Sequence, residues 1–352
     1  MNSFCQTILI FTGKLHKMIL TYTVCSANYL GQAKALYFSM LTKNPKTNLV
    51  LGLVDELSEN EKIAFNLPFE VIELSKIPKS DIVELSQKYT MHELTCACKP
   101  IVGNYLISRN KEITELRYFD TDMLVFNDLG IISDELSDHS ILITPHFWTP
   151  IIDKKHQQER DFLNSGLYNA GFFALNIDDN SKKMMQWWEQ KTRNEGYLRY
   201  DLGLGSDQLW FNFIPLFFEK VKISRNLGLN VGYWNLHERE VSFSENLFKI
   251  NQITPLYFYH YSGFSLQTPN IISKHQDRFN FENYSALKLL FEIYQTSILE
   301  NQPKNYQNRF SVYDHKKLNS TSFSSLKNLV KRRISYILWK LIALVEPNPK
   351  FN

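Results

Sequence analysis

The segment YFDTDMLVFNDL (118–129) places two carboxylates, one residue apart, between two short apolar runs. Side chains at positions i and i+2 of an extended backbone point to the same side. Asp120 and Asp122 are therefore expected to aim at one point, just where a strand leaves its sheet. Converging carboxylates repel each other unless a cation lies between them, and Mg²⁺ and Mn²⁺ prefer oxygen ligands. The segment predicts a divalent metal site; the alternative is a solvated turn, since Asp-x-Asp is a common pattern.

Strand-like apolar runs alternate with helical segments along the chain. Residues 19–25, 49–54, 69–74 and 141–145 are predicted strands, and residues 31–41 have the spacing of a helix. This alternation predicts right-handed β-α-β units and a mostly parallel sheet with ligands at the carboxyl ends of its strands. No Gly-x-Gly-x-x-Gly and no Walker loop follow the first strand, which argues against a dehydrogenase and a P-loop enzyme.

Residues 81–109 predict one long helix or a broken pair of helices. Because proline lacks an N–H group, Lys99-Pro100 predicts a boundary or kink just before Pro100. Lys99 on such a helix is by itself expected to be a solvated side chain.

A small and polar step, Asn169-Ala170-Gly171, precedes a predicted strand at residues 172–175. Small residues let a ligand approach the backbone, and the Asn169 amide offers both a donor and an acceptor. The alternative interpretation is a plain turn before the strand.

Two further segments hold candidate site residues. Ser206 is a candidate N-cap, which would put Asp207 and Gln208 in the first turn of a helix, near its positive end. Residues 226–239 form a glycine-bracketed segment whose rings, amide and imidazole suit the faces and hydroxyls of sugars. Its candidate acceptor-binding residues are Tyr233, Trp234, Asn235 and His237.

Composition excludes some classes of protein. The 352 residues are 44% hydrophobic and 21% charged, which is ordinary for a globular protein, and no run of 18 apolar residues predicts a spanning helix. The four cysteines lack the spacing of a zinc site. Residues 1–17 are predicted to be an N-terminal extension without a signal-peptide cleavage site, and Met18 is a candidate natural start.

The basic charge is concentrated near the C-terminus. Ten of the 39 Lys and Arg residues, but only two of the 36 Asp and Glu residues, lie at positions 301–352. Residues 291–325 are predicted to be a polar linker, and residues 326–345 a basic amphipathic helix. Such a helix suits an anionic membrane surface; the alternative is a helix docked on the protein's own body or on a partner chain. Nucleic acid is not an expected partner, because the apolar face would go unused.

Together these segments resemble a GT-A glycosyltransferase, and most closely the bacterial relatives of glycosyltransferase family 8. The motifs that carry the resemblance are SANYL (26–30), Lys99-Pro100, YFDTDMLVF (118–126), YNAGFFALN (168–176), Asp207-Gln208, NVGYWNLHER (230–239) and HYSGF followed by SKHQDR (260–278). The resemblance covers about residues 18–280 and implies a GT-A domain at 18–290, an α/β fold with a Rossmann-like, mostly parallel sheet and flanking helices. The C-terminal amphipathic helix would be an addition to it.

The resemblance also implies roles for individual residues. Asp120, Asp122 and His260 would hold Mn²⁺, or Mg²⁺, against the pyrophosphate of a nucleotide-sugar donor. The implied donor-binding residues are Ala27, Asn28, Tyr29, Lys99, Thr121, Asn169, Ala170, Gly171, Gly263 and Lys274. Asp207 and Gln208 would lie near the anomeric carbon as the catalytic pair. The family usually has a lysine close behind its His-x-x-Gly element, whereas here Lys274 is eleven residues beyond Gly263.

The leading hypothesis is a metal-dependent glycosyltransferase acting at the inner face of the membrane from the cytoplasm. The resemblance implies a UDP-sugar donor, a glycan or glycolipid acceptor in surface-polysaccharide synthesis, and retention of configuration; the residues alone leave the stereochemistry open. One alternative is a nucleotidyltransferase acting on nucleotide sugars, which would need a Gly-rich basic loop that SANYL does not supply. Another is a non-catalytic scaffold with a sugar-nucleotide fold.

Overall fold

The computed structural model describes residues 18–303, 309 and 311–314. The strands are β1 (Met18–Cys25), β2 (Leu49–Leu53), β3 (Glu70–Glu73), β4 (Ile113–Phe119), β5 (Met123–Val125), β6 (Ile141–Pro145), β7 (Tyr168–Asn176), β8 (Leu198–Arg199), β9 (Leu204–Gly205), β10 (Val221–Ile223), β11 (Val241–Ser244), β12 (Leu247–Ile250), β13 (Thr254–Pro255) and β14 (Phe258–His260). The α-helices are α1 (Leu30–Lys43), α2 (Glu59–Phe65), α3 (Ile82–Lys88), α4 (Met91–Arg109), α5 (Gly130–Glu135), α6 (Glu159–Ser165), α7 (Asp179–Glu195), α8 (Ile214–Phe217) and α9 (Ser285–Asn301).

A seven-stranded sheet with the order β10-β6-β7-β4-β1-β2-β3 forms the centre of the molecule. Neighbouring strands are parallel except at β7, which runs antiparallel to both β4 and β6. The predicted mostly parallel α/β sheet is confirmed. Because β7 runs the other way, its first residues lie at the edge where β1, β2, β4 and β6 end.

Helices cover both faces of this sheet. On one face, α4 and α7 bury an apolar cluster with β1, β4 and β7, in which Tyr22, Tyr118, Phe173 and Trp188 are fully buried. On the other face, α1 packs against β5 and α9. Burial on both sides explains the near-continuous apolar runs of the central strands.

The break in the helical region at residues 81–109 lies at Tyr89-Thr90, and the predicted boundary before Pro100 is wrong. The Thr90 side chain accepts a hydrogen bond from the Glu93 N–H, and the Glu93 carboxylate accepts one from the Thr90 N–H, which starts α4 with a capping box. Pro100 lies inside α4 and is buried together with its neighbours. Packing on the sheet therefore outweighs the one backbone hydrogen bond that proline cannot make.

Two other local predictions are also corrected. Ser206 is not an N-cap: its φ is +57°, and the short 3₁₀ helix Leu209–Phe213 begins after Gln208 without a side-chain cap. The step Asn169-Ala170-Gly171 is no turn, because it belongs to β7.

The C-terminal boundaries differ from those expected. Helix α9 runs through residue 290 to Asn301, so the first part of the predicted linker (291–325) is helical; its side chains at Phe291, Tyr294 and Ile298 are buried. The predicted extension (1–17) and basic helix (326–345) lie outside the described residues. Among the residues described here, no helix has both the length and the apolar character needed to cross a bilayer.

Candidate active site

Polar residues gather at one edge of the sheet, beyond the carboxyl ends of its parallel strands. The loop of residues 26–29 follows β1, Asp55 follows β2, Asp120 follows β4 and His146 follows β6. The antiparallel β7 adds its first residues to the same edge, because Phe119 pairs with Phe172 and the Asp120 N–H donates to the Gly171 carbonyl at 2.8 Å. Ligands of open α/β sheets bind at this edge.

Asp120, Asp122 and His260 meet at the centre of this edge. His260 Nε2 lies 3.1 Å from Asp122 Oδ1 and 3.8 Å from Asp120 Oδ2, and one ligand atom from each residue falls within 4.8 Å of the others. The two aspartates lie in the short turn between β4 and β5, and the antiparallel pairing of β14 with β5 brings His260 opposite Met123. The predicted ligand set is therefore assembled by the fold.

Gly171 leaves open the space in which a cation would fit. A Cβ atom at position 171 would lie 2.5 Å from His260 Cε1 and 2.8 Å from Asp120 Oδ2, closer than real Cβ contacts. Two carboxylate oxygens suit Mn²⁺ or Mg²⁺, and Mn²⁺ also accepts an imidazole nitrogen. The residues present thus fit a divalent cation.

Asp120 is held ionised by its surroundings. Its side chain is 24% exposed, and Oδ1 accepts a hydrogen bond from the Tyr118 hydroxyl and contacts Lys99 Nζ at 3.0 Å. Burial opposes the charged form, but Lys99, His260 and the Tyr118 hydroxyl outweigh it, so the pKa of Asp120 lies below its usual value of 3.8. Asp120 is therefore ready to bind a cation at neutral pH.

Lys99 lies beneath the carboxylates and is not the solvated side chain that its position on a helix suggested. It is buried, and Nζ contacts Asp207 Oδ2 at 2.9 Å and donates to the Ala170 carbonyl at 3.3 Å. Burial disfavours its ammonium form, yet Asp120 and Asp207 outweigh this and raise the pKa of Lys99. The Lys99 ammonium thus links the turn that carries Asp120 and Asp122 to the segment that carries Asp207.

Gln208 fixes the first residues of β7. Its Oε1 accepts hydrogen bonds from the Ala170 N–H (3.1 Å) and Asn169 Nδ2 (3.3 Å), and its Nε2 donates to the Ser165 carbonyl (2.8 Å). Asn169 Oδ1 in turn accepts from the Gly171 N–H at 3.0 Å. The predicted catalytic pair and the predicted sugar-lining residues are therefore neighbours.

The segment with the candidate acceptor-binding residues (226–239) lies beside the metal ligands, and its side chains differ in burial and in their contacts. The Trp234 ring packs edge-on against His260, with centroids 5.1 Å apart. Asn235 is fully buried, and its side chain bonds to the backbone of Gly232, His146 and Asn230. The Asn235 side chain therefore shapes the loop rather than facing a ligand.

The other two members of this group, Tyr233 and His237, lie nearer the surface. Tyr233 is buried, with 9% of its surface exposed, and its hydroxyl bonds to Gln157. His237 is half-buried, with its Nε2 3.1 Å from the Thr149 carbonyl.

The remaining predicted donor residues surround the same edge. In the loop after β1, Ala27 is buried, Asn28 is half-buried and Tyr29 is 44% exposed. Thr121, between the two aspartates, is nearly buried.

The predicted Gly263 and Lys274 come together despite their separation in sequence. The Lys274 N–H donates to the Gly263 carbonyl at 3.1 Å, and the Lys274 side chain is exposed. Gly263 has a φ of +76°, and a Cβ there would meet Ser273 Oγ at 2.4 Å, so glycine is required.

Sequence reasoning missed His146 and Asn230. His146 Nε2 lies 3.3 Å from Asn169 Nδ2, and Asn230 Nδ2 donates to Asn169 Oδ1 at 3.1 Å. Burial lowers the pKa of His146 to about 3, so the ring is neutral. The available signal was a histidine directly after the apolar run 141–145, the same arrangement that marked Asp120.

Known proteins share parts of this sequence and architecture. No family model matches the chain. The uncharacterized protein YfnF of Bacillus subtilis (strain 168) is 23% identical over 281 residues, which are 78% of this chain and 90% of YfnF. YfnD of the same organism, also uncharacterized, is 24% identical over 199 residues, or 56% of this chain and 62% of YfnD.

A solved structure shares the fold. The crystal structure of the galactosyltransferase LgtC, in complex with donor and acceptor sugar analogues, matches with a TM-score of 0.51 and 15% sequence identity. The match covers 83% of this chain and 100% of the LgtC chain. The chain therefore has the GT-A fold that its sequence predicted.

Proposed function

We propose that the protein is a metal-dependent glycosyltransferase that moves a sugar from a nucleoside-diphosphate donor, a UDP-sugar, to a glycan or glycolipid acceptor. The observation that carries the proposal is the convergence of Asp120, Asp122 and His260 within 4.8 Å at the ligand-binding edge of a GT-A sheet. LgtC, which shares this fold, was crystallised with donor and acceptor sugar analogues, which supports the proposed class of substrates.

Mn²⁺ or Mg²⁺ would be held by the carboxylates of Asp120 and Asp122 and the imidazole of His260. A divalent cation in this place supplies positive charge where negative charge develops on the departing diphosphate. The buried ammonium of Lys99 favours the ionised form of Asp120, and the Tyr118 hydroxyl fixes the orientation of the same carboxylate. The ligands are thereby held in place before the donor arrives, which lowers the cost of binding.

The sugar would lie against the start of β7. Gln208 and Asn169 hold the backbone at Ala170 and Gly171, so that a sugar ring meets a fixed surface with small side chains. Asp207, tied to Lys99, would lie near the anomeric carbon. The resemblance to family 8 favours retention: the bond from the anomeric carbon to phosphate breaks, the bond to the acceptor oxygen forms on the same face, and the acceptor proton passes to the departing phosphate oxygen.

We further propose that residues 326–345 bind an anionic membrane surface at the inner face of the membrane, where a glycolipid acceptor would be available. This rests on the sequence, which has five basic residues and no acidic one in that segment. Sedimentation with vesicles containing phosphatidylserine tests it. Equal binding to purely phosphatidylcholine vesicles would contradict it.

The activity is tested by incubating the full chain with Mn²⁺ and a panel of UDP-, GDP- and CDP-sugars while nucleoside diphosphate release is measured. Release should require Mn²⁺ and should fall more than about tenfold in Asp122→Asn, because the metal site contributes several kcal/mol to transition-state stabilisation. The matched control is Asp128→Asn. Asp128 lies exposed in the same segment and accepts the Gly130 N–H, an acceptor role that asparagine retains.

With pyrophosphate added to the same mixture, formation of nucleoside triphosphate and sugar 1-phosphate in place of nucleoside diphosphate would point to a nucleotidyltransferase. Turnover that is equal in Asp122→Asn and wild type would remove the metal site from the mechanism. Absence of turnover and of nucleotide binding across the panel would favour the scaffold interpretation.

A further inference from the structure

The chain returns to the loop after β1 once α9 has ended. Gln302 Oε1 accepts a hydrogen bond from the Gly31 N–H at 2.8 Å, in the first turn of α1. A Cβ at position 31 would lie 2.4 Å from the same oxygen, so only glycine allows this contact. Gln302 thereby satisfies one of the N–H groups that the start of a helix leaves without an intrahelical partner.

Farther along, Arg309 contacts the residues that follow β2. Its Nη1 lies 2.6 Å from Asp55 Oδ2, its Nη2 donates to the Glu56 carbonyl at 2.6 Å, and its Nε pairs with Glu61. The Asp55 side chain is fully buried. A buried carboxylate needs a hydrogen-bonded counter-ion, because removing one partner leaves an uncompensated charge.

The carboxylate of Asp55, which pairs with Arg309, also contacts the loop after β1. The Oδ2 atom that contacts Arg309 also accepts a hydrogen bond from the Ala27 N–H at 3.3 Å. Its Oδ1 accepts from the N–H groups of Glu56 (3.0 Å) and Val312 (3.2 Å). The carboxylate therefore joins the end of β2, the loop after β1 and the C-terminal segment.

Residues 311–314 anchor the segment at this position. Ser311 Oγ donates to the Val54 carbonyl at 3.2 Å, and the Tyr313 hydroxyl donates to Glu56 Oε1 at 2.9 Å. The Tyr313 ring is buried and belongs to the main apolar cluster. These contacts fall in a range that the sequence predicted to be a linker.

We propose that Gln302 and Arg309 are positioning residues that hold the loop of residues 26–29 in the conformation that receives the nucleotide of the donor. The inference rests on the proposed function: the loop lies at the ligand-binding edge of the sheet, and the resemblance to family 8 implies that its residues Ala27, Asn28 and Tyr29 bind the donor. Gln302 fixes the loop at Gly31, where it enters α1, and Arg309 fixes it at Ala27 through Asp55. Neither side chain need touch the donor.

The first test measures hydrogen exchange of the backbone amides in the loop without any ligand. Arg309→Gln should accelerate exchange at residues 26–31 while leaving β6 and α7 unchanged. The matched control is Arg193→Gln, since Arg193 also pairs with two carboxylates, those of Glu189 and Asp81, and donates to backbone carbonyls. Unchanged exchange at residues 26–31 in Arg309→Gln would overturn the inference.

The second test titrates UDP into the full chain with saturating Mn²⁺, and Mn²⁺ alone in a separate experiment. Arg309→Gln and Gln302→Ala should weaken UDP binding about 3- to 30-fold, the range for residues that act through a connecting network. Mn²⁺ binding should not change, because Asp120, Asp122 and His260 are untouched. Gln302→Glu should recover UDP binding, since its carboxylate still accepts the Gly31 N–H near a helix N-terminus.

The outcomes separate the inference from the proposed function. UDP binding that is equal in wild type, Arg309→Gln and Gln302→Ala overturns the inference and leaves the glycosyltransferase proposal standing. A wild-type protein that binds Mn²⁺ but none of UDP, GDP and CDP contradicts the donor assignment and, with it, the positioning role. A parallel loss of UDP and Mn²⁺ binding would show a general structural role and also overturn the inference.

Discussion

Lys99 offers the clearest test of how the site is held together. Its buried ammonium lies 3.0 Å from Asp120 Oδ1 and 2.9 Å from Asp207 Oδ2. At an effective dielectric constant of about 20, each such contact is worth roughly 5 kcal/mol before desolvation is subtracted. We therefore expect Lys99→Met to leave two carboxylates without their shared counter-ion.

The two carboxylates differ in how well water can replace Lys99. The Asp120 side chain is 24% exposed and regains solvent, whereas Asp207 is only 5% exposed. Breaking a buried pair by removing one partner typically costs about 3–5 kcal/mol. Because only Asp207 is deeply buried, we place Lys99→Met at the lower end, a loss of about 3 kcal/mol in the free energy of unfolding.

Urea denaturation followed by circular dichroism measures this loss. A double-mutant cycle with Asp207→Asn should show a coupling energy of about 1–3 kcal/mol, because the two residues are in direct contact. As a control, Lys62→Met removes an exposed ion pair with Glu59 and should leave the free energy of unfolding almost unchanged. A loss below about 1 kcal/mol for Lys99→Met, or a coupling near zero, would refute the reasoning.

Three further changes probe other parts of the site. Gly171→Ala should abolish Mn²⁺ binding measured by calorimetry, because its Cβ would lie 2.5 Å from His260 Cε1. Wild-type affinity in this variant would contradict the proposal that Gly171 leaves open the space for the cation. Tyr118→Phe removes the hydroxyl that orients Asp120 and should weaken Mn²⁺ binding about 10- to 100-fold, whereas an unchanged dissociation constant would exclude that role. The pKa of His146 is about 3 in the folded protein and about 6.5 in the unfolded chain, so below pH 6.5 the unfolded chain binds the additional proton. The free energy of unfolding should therefore fall as the pH drops below about 6.5, by up to about 1.4 kcal/mol per pH unit. Urea titrations between pH 7 and 4.5 should show a shallower fall in His146→Gln; equal slopes would count against a buried neutral imidazole.

Much of the site could be predicted because its residues directly follow apolar strands. The parallel sheet brings such strand ends together, so Asp120 was located by local pattern, whereas the residues of the loop after β1 were assigned to the site by the family resemblance. The predicted extended backbone at Asp120 and Asp122 is wrong. The two lie in a turn between β4 and β5 rather than on an extended strand, and it is the pairing of β5 with β14 that brings His260 to them.

What the sequence did not show depends on long-range packing. Pro100 suggested a helix boundary, yet burial of α4 on the sheet keeps the helix continuous through it. Lys99 reads as a solvated side chain until the fold places Asp120 and Asp207 beside it. Likewise, residues 302–314 are polar and resemble a linker, but the buried carboxylate of Asp55 gives Arg309 a fixed partner.

In the proposed function, Asp120, Asp122 and His260 would hold a divalent cation on which the binding of a nucleoside diphosphate depends. The most direct measurement is a calorimetric titration of UDP with and without Mn²⁺, on wild type and on Asp122→Asn. We expect tight UDP binding only when both Mn²⁺ and Asp122 are present. UDP binding that is equally strong without Mn²⁺, or unchanged in Asp122→Asn, would contradict it.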